Sequence, residues 1–117
     1  ASTPDAQAAV SDAATRDPVE RGRALAASHG CTACHSTGTN RLVGPGWQGL
    51  YGSGRRMADG STVAADESYL ASSITDPDRH LPEGYPPGIM PSFASQLGPQ
   101  DIDALVAYLK SLGAGDR

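Results

Sequence analysis

Residues 31–35 read CTACH and hold the only two cysteines of the chain. Two thiols three positions apart, with a histidine directly after the second, permit three chemistries. They can close a redox-active disulfide, supply part of a zinc site, or make two thioether bonds to a porphyrin whose iron the histidine binds. The choice constrains the fold because the chain has little else to build with. Its 117 residues include 14 Gly, nine Pro and only six aromatic side chains, which is short of material for a large core. Scaffolds of this size commonly need a disulfide, a metal or a cofactor.

The flanking sequence separates the three. A thioredoxin-like dithiol stands where a strand runs into a helix, whereas here a helix precedes the motif and a loop follows it. In "DPVERGRALAASHG", Asp17 can cap, Pro18 suits the first helical position and Glu20 lies three residues after the cap. Val19, Gly22, Leu25, Ala26 and His29 fall on one face, and Gly30 ends the helix. A structural zinc site needs four ligands; Cys31, Cys34 and His35 are crowded, and His29 and His80 do not form a second pair. The haem attachment spacing remains. Cysteines three apart can reach two vinyl groups on one porphyrin edge while the next residue turns its imidazole under the ring. One covalently bound haem c is therefore expected, held by Cys31 and Cys34, with His35 on the iron.

The rest of the chain divides simply. Residues 1–17, rich in Ala, Ser, Thr and Asp without apolar periodicity, read as a flexible linker or tail, and 18–117 as one domain. Opening on Ala1, the sequence reads as a mature or excised piece of a longer chain. "VGPGWQGLYG" carries at most one helical turn, and "RRMADGSTVAA" reads as a small hairpin around Asp59 and Gly60. "ADESYLASSITDP" is a short helix with Leu70 and Ile74 on one face, stopping before Pro77. "DRHLPEGYPPGIMPSF" is aperiodic loop. "GPQDIDALVAYLKSLG" is the clearest helix, starting at Pro99 and ending at Gly113, with Ile102, Leu105, Val106, Leu109 and Leu112 aligned. The fold class is all-α and loop-rich, with about four short helices and a small β-hairpin. Leu25, Leu70, Ile74, Leu105, Val106 and Leu109 are the expected pocket.

A net charge of −4 with nine scattered basic residues argues against nucleic acid. No apolar run approaches the roughly 18–20 residues that span a bilayer, so no membrane insertion of this chain is expected. The second axial ligand has four candidates. Met57 sits in a polar hairpin and reads as surface or packing. His29 is too near Cys31 to cross to the other face and reads as a solvated residue at the helix end. Met90, in a proline-rich loop between Ile89 and Pro91, is where a thioether ligand is expected, and His80 in "DPDRHLPEG" is its rival.

Helix, CTACH, a "GP" loop, a central helix, an "M-P" loop and a C-terminal amphipathic helix together resemble a class I c-type cytochrome over about residues 18–113. The resemblance implies that the first and last helices cross at small residues, with Gly22 and Ala26 facing Leu105 and Tyr108. It implies that the Pro45 carbonyl supports the His35 imidazole, that Met90 is the methionine ligand, and that the protein is a single-electron carrier. Trp47, Tyr51, Arg55 and Arg56 are the sequence-nearest candidates to surround the haem and meet its propionates.

"RLVGPGWQGLYGS", "DGSTVAADESYLASSITDP" and "GYPPGIMPSF" are similar to the cytochrome c domain fused to subunit II of haem-copper oxidases. That likeness implies a cytochrome or small redox protein as donor and the dinuclear copper domain of the oxidase as acceptor. It also implies an extracytoplasmic, tethered location, residues 1–17 as the tether, no catalysis by the domain itself, and a monomer when isolated. The alternatives are an independent shuttle cytochrome or, with an open iron position, a haem-based ligand sensor. A peroxidase would need an open iron site and usually a second haem motif.

Overall fold

The structure, a computed structural model, describes residues 17–112; the expected linker over residues 1–17, save Asp17, and the Gly113 stop lie outside them. Among the described residues three α-helices carry the fold: α1 (Pro18–Ser28), α2 (Glu67–Thr75) and α3 (Pro99–Ser111). A single 3₁₀ turn, Cys31–Ala33, and a two-stranded antiparallel hairpin, β1 (Gly54–Arg56) with β2 (Thr62–Ala64), complete the order.

Each helix starts where its sequence dictates. The Asp17 carboxylate accepts from the Val19 N–H at 3.0 Å, and Pro18 follows at the first helical position, where its missing N–H costs nothing. Asp66 caps α2 by accepting from the Tyr69 N–H at 2.9 Å. At α3 the cap is Gly98, so the capping interaction comes from inside the helix: the Asp101 carboxylate accepts from the Gly98 N–H at 3.1 Å. The same side chain pairs with Arg21 of α1, fixing the start of α3 to the middle of α1.

α1 packs chiefly on α3, and α2 on α3 to a lesser extent. The crossing of α1 and α3 turns on Gly22. A Cβ at that position would overlap the Ala104 carbonyl oxygen and stand 2.7 Å from Tyr108 Cβ. The small-residue crossing is therefore present, with Ala104 rather than Leu105 beneath Gly22, because residues 104 and 108 lie one turn apart on the same ridge. Leu105 is buried in the core cluster that holds Ala26 and Tyr108 together with Leu70, Ile74, Val106, Leu109, Trp47 and Leu50. Leu25 is only half-buried at its edge.

The hairpin forms as expected, with Arg55 paired to Val63 and a turn through Asp59, whose carboxylate accepts from the Ser61 N–H at 2.9 Å. It is not a free surface arm. The Ala58 N–H donates to Leu81 O at 2.8 Å and the Glu83 N–H to Arg56 O at 2.8 Å, so the hairpin is stitched to the segment leading toward Met90. Met57, 4 % exposed, is a packing residue at this seam, bridged to Pro82.

Gly22→Ala is expected to destabilise the protein by about 2–3 kcal/mol, since overpacking against backbone leaves no flexible atom to yield. Denaturant unfolding measures it; an unchanged midpoint would mean the helices are not in contact there.

Candidate cofactor site

The CTACH segment is wound into one tight turn. Gly30 enters it with φ +75, a conformation glycine adopts without strain. The Cys31 carbonyl then accepts from both the Cys34 N–H at 3.2 Å and the His35 N–H at 3.1 Å. With about three residues per 3₁₀ turn, positions i and i+3 eclipse, so Cys31 and Cys34 fall on one side. Both are free thiols, half-buried, and both line the same cavity. Burial pushes the Cys31 thiol above its usual range, which keeps it protonated at neutral pH.

His35 leaves this turn into a second one made by residues 44–47. The Gly44 N–H donates to Cys34 O at 2.8 Å and the Trp47 N–H to Ser36 O at 2.9 Å, pinning the two stretches together. His35 Nδ1 lies 2.9 Å from the Pro45 carbonyl oxygen. A carbonyl only accepts, so Nδ1 carries the proton and Nε2 keeps its lone pair. Burial, the larger influence, lowers the His35 pKa below its ordinary value, with the Pro45 bond opposing it. The ring is thus neutral at pH 7, the form that ligates a metal. Its flat faces are also fixed. Trp47 stacks on it at 5.1 Å between centroids and 20° between planes. Gly44 lies so close that a Cβ there would overlap the ring's Cε1 and sit 2.8 Å from Nδ1.

The cavity beside this imidazole has a volume of about 490 Å³ and is lined mostly by apolar side chains, among them Leu70, Ile74, Leu109 and Phe93. Met90 and His80 line it as well. Two thiols, a neutral imidazole and a thioether around one apolar space are a donor set that fits a c-type haem. Of the expected pocket residues, Leu25, Leu105 and Val106 do not reach the cavity: the last two are buried in the core and Leu25 is half-buried at its edge.

The remaining expected residues are distributed unevenly. Pro45 and Trp47 line the cavity; Tyr51, Arg55 and Arg56 do not. The Tyr51 hydroxyl donates to Glu67 at 3.2 Å, beside Lys110. Arg56 pairs with Glu83 at 3.4 Å. His29, expected in solvent, is instead half-buried, lines the cavity and meets Phe93 edge-on at 6.1 Å. It stands at the C-terminal cap of α1, next to the turn that carries Cys31. Tyr69 and Ser73 also line the cavity; their four-residue spacing beside Leu70 and Ile74 was the available signal. Phe93 and Tyr85, in aperiodic loop, offered none.

The cytochrome c family model matches residues 19–113. Cytochrome c2 iso-2 of Magnetospirillum fulvum is 36% identical, the alignment covering 70% of this chain and 91% of that one. Cytochrome c2 iso-2 of Magnetospirillum molischianum is 34% identical, with 70% and 90% covered. Cytochrome c2 of Rhodoplanes tepidamans is 31% identical over the same shares. Sequence family and cavity chemistry agree: this chain belongs to the cytochrome c family, binds one covalent haem c and carries electrons.

Proposed function

We propose that the chain moves single electrons through a haem fixed by thioether bonds to Cys31 and Cys34, with His35 and Met90 as the two axial ligands. The observation that carries this reading is that all four side chains line one apolar cavity. When bound, haem c supplies a reversible one-electron couple. The chain sets the conditions for it. Pro45 holds the Nδ1 proton, which orients the imidazole and raises the basicity of Nε2. The Met90 thioether favours ferrous iron and so a higher potential. With both axial donors supplied by the chain, no position is left for a substrate, which favours a carrier over a peroxidase or a ligand sensor.

As acceptor we assign the dinuclear copper domain of a terminal oxidase, on an extracytoplasmic membrane face, with residues 1–17 as the connection and a cytochrome or small redox protein as donor. The loop and helix sequences around "GPGWQGLYGS" and "GYPPGIMPSF" support it. A second reading, an independent shuttle between separate partners, is favoured by the likeness to cytochromes c2, about nine-tenths of whose length aligns with this chain.

Met90→Ala is expected to remove the ferric absorption band near the red edge that methionine sulfur gives. It should also admit carbon monoxide to the ferrous form quickly and lower the potential, while Met57→Ala does none of these. If His80→Ala altered the low-spin spectrum and Met90→Ala did not, the axial assignment would be wrong. For the partner, oxidation of the reduced chain by an oxidase lacking its own cytochrome domain should be slow at micromolar concentration and rise with it, whereas a fused form transfers independently of concentration. Tight saturable binding of the free chain below micromolar would favour the shuttle.

A further inference from the structure

The stretch that carries Met90 contains no helix or strand between α2 and α3, so whatever holds the thioether in place must come from individual bonds. Beyond Met90, the Ser92 hydroxyl donates to Thr75 O at 2.5 Å and the Phe93 N–H to Ile74 O at 3.0 Å. Before it, the Gly88 N–H is shared by the two oxygens of the Asp78 carboxylate, at 3.1 and 3.2 Å. Residues 88–93 therefore form an arch with both feet on residues 74–78 at the end of α2, and Met90 stands between the feet.

The two feet differ in kind. The later one rests on the backbone carbonyls of Ile74 and Thr75, which any residue would supply. The earlier one rests on a single side chain, Asp78, which lines the same cavity as Met90. Gly88 takes φ +80 there, which lets the chain turn its N–H back toward the carboxylate without strain. A third tie lies farther out: Arg41 donates to Gly84 O at 2.7 Å and covers the Tyr85 ring at 3.9 Å. It holds the approach to the arch, not the arch itself.

We propose that Asp78 is a positioning residue for Met90: by clasping the Gly88 N–H it holds the loop in the conformation that keeps the thioether on the cavity. This rests on the reading of Met90 as an axial ligand. Without the clasp, the conformations in which Met90 has swung away become more populated. An added ligand that competes with Met90 gains apparent affinity in proportion to that population. A hydrogen bond of this type sets the scale.

The experiment is an imidazole titration of the ferric haem-loaded chain, followed by the shift of the main haem absorption band, which reports binding in Met90→Ala as well, with thermal unfolding recorded alongside. Asp78→Ala is expected to tighten apparent imidazole binding by roughly five- to tenfold. Asp78→Ser, too short to reach, should behave the same way, and Asp78→Asn, which keeps an acceptor oxygen, should stay near the parent. Parental imidazole affinity in the alanine and serine variants, alongside tighter binding in Met90→Ala, would overturn the role of Asp78, whatever the melting temperatures do. Unchanged imidazole binding in Met90→Ala would instead overturn the axial assignment, and this proposal with it.

Discussion

The hydrogen bond from His35 Nδ1 to the Pro45 carbonyl, 2.9 Å long, is the joint on which the site depends. It fixes the tautomer, so one ring nitrogen is committed to the protein and the other is left basic. It also joins the two loops that define the cavity's floor, the CTACH turn and residues 44–47. Gly44 makes the approach possible by having no Cβ to strike the ring, and Trp47 fills the space behind it. Burial then keeps the ring neutral. A change to any one of these residues acts on the imidazole through the others.

The helices serve that joint. α1 ends at the turn that displays both thiols, and its position is set by the close contact of Gly22 with α3. The Trp47 edge meets Tyr108 of α3 at 6.1 Å, so the helix crossing and the imidazole are linked through one indole. α2 contributes Leu70 and Ile74 to the cavity wall and, at its end, the carbonyls and carboxylate that carry the Met90 arch. A chain with six aromatic residues thus spends its apolar side chains around a cavity instead of filling it, which is coherent only when a cofactor supplies the missing contacts.

The helices, the Asp17 cap and the hairpin were legible because each rests on local chemistry: Asp17 before Pro18, Leu70 and Ile74 four apart ahead of Pro77, Asp59 and Gly60 in a turn. The CTACH turn was legible as a motif whose spacing encodes its geometry. Side-chain direction in loops was not. Of two residues expected around the haem, Trp47 lines the cavity and stacks on His35, whereas Tyr51 pairs with Glu67 and does not line it. Met57 is buried because the hairpin is stitched to residues 81–83, a long-range contact that no local pattern announces. The Asp78 clasp was equally hidden, since it joins residues ten apart in a segment without periodicity.

Electron transfer by this chain depends on the turn at residues 31–35 presenting two thiols and an imidazole to one haem. Acid extraction of the denatured protein, followed by mass spectrometry of the peptide that contains residues 31–35, tests it directly. The expected result is colour retained on the polypeptide and a peptide heavier by one haem, with neither Cys31 nor Cys34 open to alkylation. Free haem in the extract with both cysteines alkylated, or zinc in stoichiometric amount, would contradict it.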